Sequence, residues 1–168
     1  MTHQFDRFSN YTLCRLFSWP LLRPVSILIH EFGHLIAARL VGCPADTISL
    51  GYGPVKQQFL LFGVIVRLRQ ERWGCHGRTH THSHHLRGLT NLLVIASGPL
   101  LKGAFGAAGL ALWFLHGAWF SPIVFWYTGC VGLVWCADSA GNLLAKTFKS
   151  DGRRAYLTIK HLRSQSQL

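Results

Sequence analysis

Two histidines and the glutamate beside the first carry the clearest chemistry in this chain. In His30-Glu31-Phe32-Gly33-His34 the imidazoles are four residues apart. On a helix that spacing puts both on one face, a turn apart, where their ring nitrogens can grip a single Zn²⁺. Glu31, next to the first ligand, is placed to take a proton from water activated by such a metal. The same residues also have a plainer reading, a structural polar cluster in which Glu31 pairs with a histidine or with Arg39. The motif falls inside a candidate membrane span, however. A glutamate is costly in a lipid-crossing helix, so an ionisable residue kept there is by default a functional one.

The elements that must position these residues follow from the distribution of apolar side chains. The 168 residues are 49% hydrophobic, an ordinary share, but Ala118–Ala137 has no charged side chain and Leu89–Leu115 has only Lys102. A bilayer core needs about 20 apolar residues per helix, so both stretches read as membrane spans. The segment carrying the histidines is the weakest by hydropathy. Fifteen residues separate Arg23 from Arg39, about 22 Å of helix, and the two arginines can extend it by snorkelling. Pro20 and Pro24 predict a kink or a helix start nearby. The expected fold is therefore an all-α integral membrane protein of one domain, 1–168, with about three transmembrane helices at about 20–42, 89–115 and 122–144.

Between spans one and two, residues 43–88 form the main loop. Thr47–Leu50 and the alternating Val64, Val66 and Leu68, separated by glycines, predict a small membrane-associated β-hairpin or three short strands. Residues Gln70–Gly88 are basic and histidine-rich and read as a flexible surface. Their Cys75, His76, His80, His82, His84 and His85 offer a second metal site or, more plainly, a solvated loop.

Seventeen Lys+Arg face six Asp+Glu, a formal charge of +11. The basic residues bracket the apolar segments, which points to anionic membrane surfaces and away from nucleic acid. With three spans, the 43–88 loop and the C-terminal tail share one side and carry twelve Lys+Arg, against Arg7, Arg15 and Arg23 on the other. The positive-inside rule then makes loop and tail cytoplasmic and the N-terminus external. The five cysteines are odd in number and lack C-x-x-C spacing, so no disulfide framework is expected.

The run from His30 to Gly42, followed by Ile48-Ser49-Leu50-Gly51-Tyr52-Gly53-Pro54, resembles the site-2 protease family of intramembrane zinc metallopeptidases. Further landmarks follow in the family's order: Ser97-Gly98-Pro99-Leu100, then Asn142-Leu143-Leu144 and Asp151-Gly152. The resemblance spans about residues 25–69 and 91–155. It implies that His30, His34 and Asp151 hold Zn²⁺, that Glu31 is the general base, and that Asn142 contacts the substrate backbone. A carboxylate is a suitable third donor where two histidines leave a catalytic zinc one protein ligand short. Asp138, inside the third span, is the alternative carboxylate. The chain departs from the family pattern at Ala145, where proline is common, at Lys102, near where an asparagine often follows Gly-Pro, and in an Asn-to-Asp gap one residue longer than usual.

The implied activity is hydrolysis of peptide bonds in membrane-spanning or membrane-associated substrates, with the lipid bilayer as the setting. A helical substrate must unwind before a carbonyl is open to attack, and the strands around Ile48–Leu50 and Val64–Leu68 are candidates to pair with the unwound stretch. The departures motivate a second reading, a catalytically silent relative acting as a membrane adaptor or metal-binding protein.

Overall fold

The computed structural model describes residues 3–71, 76–81, 88–116, 122–144 and 150–165. A long helix, α1 (His3–Leu40), leads into four strands, β1 (Ala45–Leu50), β2 (Tyr52–Leu61), β3 (Val64–Glu71) and β4 (Gly77–Thr81). Helices α2 (Gly88–His116), α3 (Pro122–Leu144) and α4 (Asp151–Gln165) follow.

Helix α1 starts well before residue 20 and runs on through Pro20 and Pro24. It stops where glycine can adopt what other residues resist. Gly42 has φ +75°, the Cys43 N–H donates to the Ala38 carbonyl at 2.8 Å, and the Gly42 N–H donates to that of Arg39 at 3.0 Å. This is a Schellman cap, which satisfies the last carbonyls of the helix and turns the chain directly into β1.

The strands form one mixed sheet in the order β2-β3-β1-β4. β1 runs parallel to β3, with Ile48 opposite Val66, and antiparallel to β4, with Ile48 opposite Thr79. β2 and β3 make an antiparallel hairpin. Alternation sorts the faces. Ile48, Leu50, Val64 and Val66 are buried in one cluster with Leu35, Ala37 and Ala38 of α1 and Val94 of α2. The helix bearing the histidines is thus clamped to the sheet by apolar contact.

The all-α expectation of three spans with an attached hairpin is overturned. The protein has four helices and a four-stranded mixed sheet whose buried face belongs to the main core. The basic stretch read as flexible surface supplies β4, and the basic tail supplies α4. Among the described residues one helix, Gly88–Leu115, is long and apolar enough to cross a membrane. α1 fails on polarity, since Arg23, His30, Glu31, His34 and Arg39 punctuate its second half. Strand addition at β1 or β3 is also ruled out, because each is paired along both edges. Among the described residues the free edges belong to β2 and β4.

Candidate metal centre

His30 and His34 lie one turn apart on α1, with their Nε2 atoms 3.1 Å from each other. The start of α4 comes back to meet them. Ser150 caps that helix, its Oγ accepting the Arg153 N–H at 3.2 Å, and this places Asp151 in the first turn. Asp151 Oδ2 lies 3.0 Å from His30 Nε2 and 3.5 Å from His34 Nε2. Glu31, His34 and Asp151 are all buried.

These distances suit a metal ion. Ligand atoms about 2.0–2.1 Å from a common centre at tetrahedral angles lie about 3.3 Å apart, and the three edges here are 3.0, 3.1 and 3.5 Å. The protonation pattern agrees. His34 Nδ1 sits 2.7 Å from the Val94 carbonyl, an acceptor only, so Nδ1 carries the proton and the Nε2 lone pair faces inward. A lone pair and a carboxylate oxygen then face each other, an arrangement that a cation between them reconciles. With the imidazoles protonated in place of a bound cation, burial raises the Asp151 carboxyl, but hydrogen bonds and charge from His30 and His34 outweigh it and hold that carboxyl well below the usual carboxylate range. It is therefore an ionised donor at neutral pH.

Neighbouring elements hold the three groups in place. Asn142, in the last turn of α3, donates from Nδ2 to Asp151 Oδ2 at 3.0 Å and accepts the Asp151 backbone N–H at 3.1 Å. Its amide therefore grips the same oxygen that faces the histidines. The α1–α2 crossing is equally close. A Cβ at Gly98 would sit 2.5 Å from His34 Cε1, and one at Gly33 would sit 2.5 Å from the Ser97 carbonyl oxygen. Any side chain at either position would push α2, and with it the Val94 carbonyl, off His34.

The two candidate carboxylates lie in different places. Asp138 pairs with the buried Lys102 across α2 and α3, apart from the histidines, whereas Asp151 joins them. Among the described residues, His30, His34 and Asp151 are the one group of three potential ligands that converges, with ligand atoms within 4.8 Å of one another. The second histidine cluster is seen in part. His80 hydrogen-bonds Ser49 Oγ at 2.9 Å and His76 packs on Tyr52, while Cys75, His82, His84 and His85 lie outside the described residues. Burial lowers the His80 imidazole below its ordinary range, and Arg78, Arg69 and Arg67 lower it further, so it is neutral at pH 7.

One contact with the glutamate was not legible beforehand. Thr79 Oγ1, on β4, lies 2.7 Å from Glu31 Oε2 and 2.9 Å from the Glu31 backbone oxygen. The available signal was weak, two β-branched threonines alternating with Arg78 and His80.

No curated protein matches the chain. A family model, peptidase family M50, matches residues 22–166, a range that takes in both histidines, the glutamate, the strands and the returning aspartate. With most of its length matched from α1 through α4, the chain belongs to peptidase family M50, the site-2 protease family.

Proposed function

We propose that this protein is an intramembrane zinc metalloendopeptidase, with His30, His34 and Asp151 as metal ligands and Glu31 as general base. The observation that carries the reading is the convergence of those three ligand atoms within 4.8 Å, beside a buried glutamate on the same helix. Zinc bound by these residues would supply Lewis acidity toward water and the scissile carbonyl. Glu31 takes the proton at its carboxylate and delivers it to the leaving amine. The Val94 carbonyl holds the His34 imidazole in one tautomer and orientation. α2 crosses the bilayer, and the basic strands and α4 lie on its cytoplasmic side. An unwound substrate segment reaches Glu31 past β4, the free sheet edge that packs on it.

The test is cleavage of a reporter, a membrane-spanning helix bearing a quenched fluorophore pair, by purified protein in liposomes. Activity should vanish with a chelator and return with added zinc. Cleavage indifferent to the chelator would overturn the metallopeptidase reading.

Ligand support also has a measurable consequence. Asn142→Ala removes the amide that holds Asp151 Oδ2, and outer-shell losses of this kind weaken metal binding about 10–100-fold. Zinc titration against a chromophoric chelator should show that loss, with the helical circular dichroism retained.

A second reading, a silent relative that keeps the fold and binds partners, is favoured by one feature. Lys102 stands near where the family pattern carries asparagine, and it is engaged by Asp138.

A further inference from the structure

We infer that Thr79 is a positioning residue for Glu31, and that strand β4 sets the orientation in which this carboxylate works. The inference rests on the reading of Glu31 as the proton carrier and adds the element that aims it.

A glutamate side chain has three rotatable bonds. One buried beside two imidazoles can turn toward either of them and leave the reaction. Here β4 contacts it from two directions. On one side the Thr79 hydroxyl, with a single proton, donates to Glu31 Oε2 at 2.7 Å, while Thr79 Oγ1 also sits 2.9 Å from the backbone carbonyl oxygen of Glu31. The carboxylate is thereby held close to its own main chain, which restricts its χ angles. On the other side lies Gly77. A Cβ there would be 2.5 Å from Glu31 Cγ and 2.6 Å from Oε1, so the strand backbone itself walls the second oxygen, and only glycine permits that approach.

The sheet fixes both residues. Gly77 lies opposite Leu50 and Thr79 opposite Ile48, which puts them on the buried face toward α1. Arg78 and His80 alternate to the other face, where His80 bonds Ser49 Oγ.

The chemical type of the partner also fits the task. A Lys or Arg at position 79 would orient Glu31 but would oppose its protonation by charge. A threonine hydroxyl is neutral. It donates to the ionised carboxylate and, after rotation, accepts from the protonated acid, so the tie survives both halves of the proton cycle.

The experiment uses the zinc-loaded chain. Thr79→Val keeps the shape and removes the hydroxyl, and Thr79→Ser restores it. The first readout is thermal unfolding in a double-mutant cycle with Glu31→Ala. Thr79→Val should lower Tm by about 5 °C in the wild-type background and by less than about 1 °C beside Glu31→Ala. Equal shifts in the two backgrounds would overturn the tie. The second readout is cleavage of the reporter helix. Thr79→Val should lower kcat about 10–100-fold, with KM within about twofold and zinc content unchanged, and Thr79→Ser should recover most of the loss. An unchanged kcat, or a loss that follows zinc content, would overturn the positioning role. A zinc-loaded wild type that cuts no reporter would overturn the peptidase reading and any catalytic use of the tie. The thermal cycle would still report whether the tie exists.

Discussion

Glu31→Gln should abolish proteolysis while the metal stays bound. The exchange is nearly isosteric, and the glutamine oxygen can still accept the Thr79 hydroxyl that now sits 2.7 Å from Oε2. What disappears is the ability to take a proton. General base and acid steps contribute about 10²–10⁴-fold in rate, which corresponds to about 3–5 kcal/mol of barrier. kcat on the reporter helix should fall by that range. Zinc content should stay near one ion per chain, because the ligand atoms come from His30, His34 and Asp151. Metal analysis alone would not separate a peptidase from a silent relative, since both can hold zinc. The pairing of lost cleavage with retained metal does separate them. Cleavage by the glutamine variant at the wild-type rate would end the general-base assignment.

The second large effect concerns the third ligand. Asp151→Ala should release zinc, and Asp138→Ala should not. Asp151 Oδ2 lies within 3.5 Å of both imidazole Nε2 atoms, and two imidazoles alone are a weak site for an ion that favours four ligands. Asp138 is engaged with Lys102, whose side chain is only 7% exposed. Its removal leaves a buried ammonium without a partner, so the expected penalty is a lower Tm with zinc retained. Metal analysis and thermal unfolding on the same two preparations check both outcomes. Zinc lost only in the Asp138 variant would transfer the ligand role to that residue.

The two variants also mark where reading the chain linearly stops. Whether Asp138 or Asp151 reaches the histidines is a question of how α3 ends and where α4 begins, and neither residue's immediate neighbours answer it. Thr79 shows the same limit. Strand β4 is five residues of mixed polarity, Gly77–Thr81, whose strand conformation comes from pairing with β1 and from packing on α1. In isolation such a segment looks like solvated loop, because β-propensity is mostly a report of what a strand packs against. The span count failed for a related reason. Apolar windows identify segments that can enter lipid, but they do not register that a sheet shares one core with α1 and α2.

The amino-acid sequence by itself determined the features that depend on near neighbours: His30 and His34 on one helical face, Glu31 beside the first of them, and the apolar character of α2. These follow from the helix repeat and from the residue types within a short run. Only the tertiary structure decided which carboxylate meets the histidines, that Asn142 grips it, that Thr79 of β4 bonds the glutamate, and that β1 and β3 are each paired along both edges. Those arrangements join groups as much as a hundred or more residues apart. Contacts of that range are selected by how whole elements pack together, which no local run of residues encodes.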